Sequence, residues 1–594
     1  MAISLGADPT SPARPDVNRR ARFVVLVTLV SIAATFVSLA GSWIPSLWGD
    51  EAASIMSATR SIPSLFAMLG TVDAVHGTYY LGLHAWIAIF GASPFSVRLP
   101  SALAVGATVA AVMIIARRLG GLRIAVAAGV ICAVIPRVTY MGSEARSSAL
   151  ATAIVAWLTV VLLTLIGQPT PSRRWWVAYG ALLTVGIYMF LYVVLIALAH
   201  ALVLISTRVP RRLLIDWAKT VALAVTAALP VVVWAVLQHG QIAFLGHRNE
   251  ITPQKLIVSL WFGQPLFAAV AWALILLALV AAVRSRRSPH RPLSAANVRM
   301  PQLTVVAASW LLVPAVILIG GSSVVPVYTA RYLSYCAPAA ALLMAVGLDW
   351  ATRHRPPVLA AGLLLVVLCA APVWLAQRQP NAKNNSDFAQ TSAIIAAHAV
   401  PGDAIAFDES VRPSRRPRLA LHLYPVAFAG LEDVTLHVPY ADGTSWHDSA
   451  YSVPEAAARG RFDGVHRLWL VEYSNGTTPD TADHAALTEL GYRAVHRYAA
   501  HRSVIYEYVA TSSPVEKLSQ SSNGIFDFGS VTRDKAGRRD LGQAMQRPGG
   551  LLQVGREHLG CRSEAASGTS DGVARQDSAG CRVDEAEMPR GVTG

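Results

Sequence analysis

Long apolar runs recur along the first two thirds of the chain, separated by short polar connections. A helix needs about 20 apolar residues to cross the hydrocarbon of a bilayer, and these runs have that length. The pattern predicts eleven helices, and with them a mainly α fold, a polytopic membrane helical bundle. In chain order the runs lie at 22–40, 96–116, 122–140, 147–166, 175–191, 192–207, 216–237, 265–283, 301–320, 332–349 and 357–375.

The connection at 41–95 is unusually long for one without a crossing. Its stretches SIPSLFAML (61–69) and YYLGLHAWIAIF (79–90) are apolar but interrupted. Such stretches are typical of helices that lie in the membrane interface. If 79–95 crossed the membrane instead, every later segment would be reversed. We therefore predict interfacial helices in this first outer connection.

After residue 375 the pattern changes to a mixed, globular one. Short β-rich runs at Ala404–Phe407, Leu468–Val471 and Val504–Tyr508 alternate with helix-like stretches such as Asp387–His398. Alternation of this kind favours a small α/β domain. We place that domain at 376–510.

Composition agrees with a membrane protein. Of the 594 residues 54% are hydrophobic and 14% charged, whereas soluble proteins have about 25% charged residues. The net charge is +15, but the basic residues stand in short clusters between apolar runs, so we exclude nucleic acid as a partner. Residues 511–594 are rich in Ser, Gly, Arg and Asp and predict a disordered tail.

The basic residues also set an orientation. With the N-terminal segment 1–21 in the cytoplasm, the connections on that side hold twenty Lys and Arg up to residue 375, and those on the other side hold seven. Cytoplasmic connections of membrane proteins carry this excess. The chain is therefore expected to be multi-pass, with a cytoplasmic N-terminus and an extracytoplasmic domain at 376–510.

On this topology, acids and arginines from four parts of the chain lie at one depth on the outer side. They are Asp50 and Glu51 in SLWGDEAAS, Asp73 and His76 in TVDAVHGTYY, Glu144 and Arg146 in YMGSEARSSALA, and Arg331 in VPVYTARYLSY. Ionisable residues near the membrane boundary are costly unless they pair or serve a water-filled cavity. Their convergence predicts a functional site.

Each of these residues also has a structural alternative. Asp50 or the acid after it can cap the helix that follows. Glu144 and Arg146 can pair with each other, and Arg331 can extend to lipid phosphates. Asp73 and His76 can each have either a structural role or a role in binding a ligand.

An outer-face carboxylate beside arginines suits one kind of chemistry in particular. Nucleotide sugars are not available outside the cytoplasmic membrane, so a sugar on a polyprenyl phosphate is the natural donor there. A carboxylate can take the proton of an attacking hydroxyl. The planar fork of an arginine matches the oxygens of the departing phosphate.

Two segments, WGDEAAS and DAVHGTYYLGLHAWIAIFGASPFSVRLPSAL (73–103), resemble the membrane glycosyltransferases of the GT-C superfamily. Within it they resemble the bacterial branch similar to protein mannosyltransferases and the lipid A aminoarabinose transferase. The resemblance covers about 20–375, and the family's proline after the histidine is absent from HGTYY (76–80). The matching positions are Asp73, His76, Tyr79, Tyr80, Gly91, Arg98, Pro100, Ser101, Glu144, Arg146, Leu150, Arg331, Tyr332 and Leu333.

The resemblance implies a role for each candidate residue. Asp50 would be the catalytic base, with Glu51 in support. Arg331 and Arg146 would hold the donor phosphate. The remaining residues that we expect to bind donor phosphate or substrate are Glu144, Asp73, His76 and Tyr80.

The expected activity is an inverting transfer of a mannose- or arabinose-type sugar from a polyprenyl-phosphate donor. The acceptor is an envelope glycan, glycolipid or protein at the outer face of the bacterial cytoplasmic membrane. A lipid-linked sugar flippase or transporter is the alternative, although the chain shows no internal repeat; a non-catalytic scaffold is a third. No cofactor is certain, and a divalent cation held by Asp50, Glu51 and Asp73 stays open.

Overall fold

The computed structural model describes residues 15–247, 250–286, 300–325, 327–474 and 481–511. The predicted tail beyond Thr511 and residues 1–14 of the predicted N-terminal segment lie outside these ranges.

Helices form the first part of the described chain, and every predicted apolar run coincides with helix. Shorter helical turns lie at Ala74–His76, Leu191–Val194, His239–His247, Gln254–Ser259 and Ala330–Cys336. The α-helices are α1 (Pro15–Leu39), α2 (Gly49–Ala58), α3 (Ile62–Leu69), α4 (Gly77–Phe90), α5 (Pro94–Gly120), α6 (Leu122–Val134), α7 (Pro136–Gly142), α8 (Ser148–Ile166), α9 (Arg173–Met189), α10 (Leu195–Thr207), α11 (Arg211–Ala227), α12 (Leu229–Leu237), α13 (Pro265–Arg286), α14 (Leu303–Gly321), α15 (Ala337–Ala351) and α16 (Pro356–Ala376).

Seven of the described helices are long and apolar enough to cross a membrane, or eight if the pair α11–α12, bent by 52°, counts as one span. Leu122–Val134 and Leu191–Thr207 are apolar but shorter. The membrane helical bundle is thereby confirmed. The count of eleven crossings and the orientation stay predictions.

Small residues allow the helices of the bundle to pack closely. A Cβ atom on Gly106 of α5 would lie 2.2 Å from Oγ1 of Thr35 on α1. A Cβ on Gly347 of α15 would lie 1.9 Å from the carbonyl oxygen of Leu274 on α13. Close backbone approach at small residues is a main source of helix association in lipid.

The connection at 41–95 holds α2, α3 and α4, so the two stretches predicted to lie in the interface are helical. Beyond α16 the chain forms the predicted small α/β region. Its elements are α17 (Phe388–His398), β1 (Ala404–Phe407), α18 (Leu419–Leu423), β2 (Glu432–Asp433), β3 (Leu436–Val438), β4 (Ser449–Ala450), α19 (Val453–Ala458), β5 (Arg467–Tyr473), α20 (Thr481–Glu489), β6 (Tyr492–Ala499) and β7 (Ser503–Ala510).

One five-stranded sheet organises this region, in the order β2-β1-β5-β7-β6. β1 pairs in parallel with β2 and β5, whereas β7 pairs antiparallel with β5 and β6. The central strands are apolar on both sides, with Ile405 and Trp469 fully buried. β3 and β4 form a separate antiparallel pair.

A single cluster of buried side chains joins this sheet region to the connection at 41–95. It includes Ile55 of α2 and Leu65 of α3 together with Phe388 of α17 and Leu419 of α18. Burial of such side chains is worth about 1.5–3 kcal/mol each. The sheet region therefore fixes the position of α2, on which the two predicted acids lie.

Candidate active site

Asp50 lies in the first turn of α2 and contacts two arginines from distant parts of the chain. Its Oδ2 accepts a hydrogen bond from Nη1 of Arg331, which is 281 residues away in sequence. Nη2 of Arg146 lies 3.8 Å from the same oxygen. The Asp50 side chain is 20% exposed and that of Arg331 35%. The predicted juxtaposition with the late Arg-Tyr-Leu is thus present for Asp50, and the side chains of Asp50 and Arg331 are partly exposed.

Arg146 contacts α2 rather than Glu144, the acid two residues before it in the sequence. Its Nη1 donates to the carbonyl oxygen of Asp50 at 3.1 Å and lies 3.4 Å from Oγ of Ser54. In the described part of the chain no ion pair joins it to Glu144. The simple pair between these two residues, an alternative from sequence, is not formed.

Burial alone raises the pKa of the Asp50 carboxyl. The charges of Arg146 and Arg331 and the hydrogen bond from Arg331 outweigh that effect, so the pKa lies below its usual value. Asp50 is therefore an anion at physiological pH.

Glu51, the neighbouring acid, is in a different environment. Its side chain and that of Arg98 on α5 are both fully buried. Nε of Arg98 donates to Oε1 at 2.7 Å, Nη2 donates to Oε2 at 2.5 Å, and the backbone N–H of Ala145 donates to Oε1 at 2.8 Å. Both oxygens of Glu51 are thus occupied by protein donors.

Arg98 also ties the end of α1 to this group. Its Nη1 donates to the carbonyl of Pro45 at 2.9 Å and to that of Ser42 at 2.5 Å. Its Nη2 lies 3.3 Å from the carbonyl of Ser46. The guanidinium therefore fixes the chain immediately before α2.

Glu144 faces a lysine that sequence reasoning missed. Lys383, in the segment between α16 and α17, is fully buried. Its Nζ donates to the carbonyl of Tyr140 at 3.1 Å and lies 3.6 Å from the centre of that ring. Burial raises the pKa of Glu144 and lowers that of Lys383, whereas their mutual attraction opposes both shifts. A lone lysine in the short segment after an apolar helix was the available signal.

Asp73, His76 and Tyr80 lie together at the start of α4. The hydroxyl of Tyr80 donates to Oδ2 of Asp73 at 3.0 Å. Burial raises the pKa of Asp73. Burial, with help from the charge of Arg146, lowers the pKa of His76 to about 3. Because Asp50 and His76 interact electrostatically, this neutral histidine borders the charged group.

The turn that carries these residues is held by α12 and the turn after it, which the sequence did not suggest. Oε1 of Gln241 accepts from the backbone N–H of Asp73 at 3.2 Å, and Oε1 of Gln238 accepts from that of Ala74 at 3.0 Å. Asp73 has φ of 60°, a left-handed conformation that aspartate tolerates better than most residues. The two glutamines thus satisfy the backbone N–H groups of Asp73 and Ala74.

Tyr332, which follows Arg331 in the sequence, belongs to an aromatic cluster. The ring of Tyr332 lies 5.1 Å from that of Tyr192 and 5.7 Å from that of Phe190. The hydroxyl of Tyr335 donates to the carbonyl of Tyr192 at 3.0 Å. The signal for this cluster was the aromatic break between the fifth and sixth predicted helices.

A loop of the sheet region, residues 409–418, lies directly on the start of α2. A Cβ atom on Gly49 would lie 2.1 Å from the carbonyl oxygen of Ser414, so only glycine fits. Arg416 and Arg418 anchor the loop through Glu409, at 2.8 and 2.7 Å. The sheet region thus reaches the residue before Asp50.

A metal site formed by Asp50, Glu51 and Asp73 does not fit this arrangement. Each carboxylate already faces protein donors. Asp50 faces Arg331 and Arg146, Glu51 faces Arg98, and Asp73 faces the hydroxyl of Tyr80. Within the described ranges, no group of three or more His, Cys, Asp or Glu side chains is arranged to hold a metal ion.

Comparison with known proteins adds a family match to part of the chain and a similar fold. Residues 79–234 match the family described as dolichyl-phosphate-mannose-protein mannosyltransferase. Comparison with curated proteins gives no match. Among solved structures, ArnT from Cupriavidus metallidurans in the apo state superposes with a TM-score of 0.52 at 15% identity, covering 82% of this chain and 98% of that one.

Two further structures have lower scores. ArnT from the same organism bound to undecaprenyl phosphate gives a TM-score of 0.47 at 16% identity, covering 82% of this chain and 98% of that one. The archaeal oligosaccharyltransferase AglB from Archaeoglobus fulgidus, with an inhibitory peptide and a dolichol-phosphate, gives 0.44 at 11% identity, covering 82% and 74%. The fold comparison rests on apo ArnT, with which this chain shares its fold, and the family match adds a local similarity over residues 79–234.

Proposed function

We propose that this protein transfers a sugar from a polyprenyl-phosphate donor to a hydroxyl of an envelope acceptor, at the outer face of the cytoplasmic membrane. The observation that carries the proposal is the ionised Asp50 between Arg331 and Arg146. This arrangement places an acceptor for a proton and donors for a phosphate within one partly exposed group.

The reaction is a single displacement at the anomeric carbon. The acceptor hydroxyl oxygen forms the new bond to that carbon while the bond to the phosphate oxygen breaks, and the configuration inverts. The hydroxyl proton passes to Asp50. The electron pair of the broken bond leaves with the polyprenyl phosphate, whose added charge Arg331 and Arg146 stabilise.

Arg331 can serve both partners because a guanidinium has five N–H donors in a planar fork. One of them reaches Asp50, and the side chain is 35% exposed. The remaining donors are available for phosphate oxygens. A carboxylate held ionised beside the phosphate site would accept the proton without first losing one of its own.

Glu51 has a positioning role in this proposal. Its oxygens are occupied by Arg98 and Ala145, and it is fully buried, so substrate does not reach it. It aligns α2 with α5 and with the turn before α8. Glu144 with Lys383, and Asp73 with Tyr80, would likewise shape the walls around Asp50.

An apolar groove supports a lipid-linked donor. It has a volume of about 290 Å³ and lies next to the turn that carries His76. Phe66 and Leu81 of the outer connection line one side, and Val231 and Trp234 of α12 line the other. Such a groove can take up part of a prenyl chain while the phosphate reaches the arginines. The family description names a dolichyl-phosphate donor, mannose and a protein acceptor, and these are the first substrates to test.

The test is turnover by purified protein in detergent, with polyprenyl-phosphate mannose labelled in the sugar and a peptide that bears hydroxyl side chains as the acceptor. In detergent no membrane separates two compartments, so a flippase has nothing to transport. Release of polyprenyl phosphate in detergent therefore favours sugar transfer over flipping. We expect Asp50→Asn to abolish release while Asp463→Asn, an exposed aspartate of the sheet region, leaves it unchanged. Equal turnover by both variants contradicts the assignment of Asp50.

A further inference from the structure

A second cavity lies at the end of the bundle away from Asp50. Its volume is about 470 Å³, and it is bounded by the connection after α8 and the connection after α10. α8 begins two residues after Arg146 and ends at Ile166 in the cavity wall; its 19 residues span about 28 Å. This cavity is therefore about a bilayer thickness from the candidate active site.

Positive charge dominates the mouth of this cavity. Arg208 and Arg212 line it and are exposed, and neither forms an ion pair within the described ranges. Its acidic lining residue is Asp216. α11 begins after Pro210, which caps no N–H group with its side chain, so the first N–H groups of the helix lie at the cavity without a capping partner.

Arg208 adopts an unusual backbone conformation at this place. Its φ is 56°, in the left-handed region that arginine rarely occupies. A left-handed residue commonly ends a helix, and Arg208 is the C-cap of α10, where its backbone N–H donates to the carbonyls of Ile205 and Leu204. The turn places this arginine at the cavity mouth instead of continuing α10.

The cavity opens beside an apolar surface. Trp176 of α9 forms part of the wall, and tryptophan is typical of the membrane–water boundary. On the neighbouring helices, Ile205 of α10 is 61% exposed and Leu223 of α11 is 71% exposed. In a bilayer these side chains face acyl chains, so a ligand in the cavity can extend along them.

We propose that this cavity binds the phosphodiester headgroup of an anionic phospholipid. Arg208, Arg212 and the free N–H groups of α11 contact the phosphate, and the acyl chains lie along α10 and α11. Basic pockets between helix ends are suited to such headgroups. A free phosphate would not need the bordering apolar surface, and therefore the lipid is the better occupant. The inference is independent of the proposed sugar transfer.

The experiment uses the full-length purified protein and native mass spectrometry. Protein is incubated with an equimolar mixture of phosphatidylglycerol and phosphatidylcholine, and retained lipid is counted. We expect wild type to retain phosphatidylglycerol selectively. The double substitution Arg208→Gln with Arg212→Gln removes two basic side chains from the cavity. The affinity for phosphatidylglycerol should therefore fall about 30-fold.

The matched control is Arg173→Gln with Arg174→Gln, which removes the same charge from the neighbouring helix end without altering the cavity lining. It should keep the selectivity. A second variant, Thr170→Glu, adds a negative charge at an exposed lining position where folding is not at risk. Like the double arginine variant, it should lose the selectivity for phosphatidylglycerol. The proposed site is wrong if the control loses the selectivity for phosphatidylglycerol to the same extent, if wild type shows no selectivity, or if Thr170→Glu keeps it. If inorganic phosphate displaces phosphatidylglycerol stoichiometrically at low concentration, the cavity is a free-anion site and the lipid proposal is wrong.

Discussion

Glu51→Gln should destabilise the protein much more than the adjacent Asp50→Asn. Glu51 and Arg98 are both fully buried, and two hydrogen bonds join them. Glutamine keeps one acceptor oxygen, but its amide N–H₂ then faces the guanidinium N–H groups. Removing one partner of a buried ion pair leaves the other charge uncompensated, at a cost of about 3–5 kcal/mol.

The size of the chain sets the expected change in melting temperature. A cost of 1 kcal/mol lowers Tm by about 2–4 °C in a domain of 150–250 residues, and by less in a longer chain. For this protein we expect a fall of about 3–10 °C. Asp50 is partly exposed, so water can solvate the arginines that it leaves, and Asp50→Asn should cost about 1 kcal/mol or less.

The assay is thermal unfolding in detergent at a fixed scan rate, since membrane proteins of this size often unfold irreversibly. Turnover of the labelled donor is measured on the same samples below the transition. An unchanged Tm in Glu51→Gln refutes the structural role of the ion pair. Lost turnover at an unchanged Tm would assign Glu51 to the chemistry instead.

Three further outcomes follow from the same contacts. Arg331→Lys keeps the charge but loses the planar fork, so turnover should fall about 10–100-fold at an unchanged Tm; wild-type turnover would rule out a phosphate clamp. Gly49→Ala should cost about 1–3 kcal/mol by forcing the 409–418 loop away, and should reduce turnover, whereas Gly82→Ala, where a Cβ meets open space, should not. In Arg146→Met the pKa of Asp50 should rise, because one of the charges that lower it is gone. A base works only above its pKa, so the acid limb of the pH–rate profile should move to higher pH; a stationary limb contradicts Asp50 as the base.

The bundle and the principal contact of the site were predictable because the bilayer restricts both. Apolar runs of spanning length have few structural options in hydrocarbon, and each predicted run is helical. Charges at one depth on one side must pair or face water, which led from Asp50 to Arg331 although 281 residues separate them. The order of the predicted crossings therefore indicated that Asp50 and Arg331 lie on the same side of the bundle.

The division of labour between the two neighbouring acids was not predictable from the pair alone. SLWGDEAAS reads as a connection, but Gly49–Ala58 is a helix, and successive side chains on a helix point about 100° apart. One acid therefore faces the open group with Arg331, and the other faces α5. A single arginine near the start of the apolar helix α5 was the signal for the buried partner of Glu51.

The contribution of the sheet region could not have been inferred from local sequence. The loop at 409–418 meets Gly49 through a backbone carbonyl, and a backbone contact leaves no mark on the loop side except for the glycine opposite. Lys383, in the segment that leads into the sheet region, faces Glu144 in the same neighbourhood. The loop at Gly49 and the electrostatic attraction between Lys383 and Glu144 thus connect the sheet region to the segments that carry Asp50 and Arg146. Since α2 is held between this region and the bundle, a change in the sheet region that shifts the loop must also shift Asp50 relative to Arg331, and the domain is on that ground a part of the candidate active site.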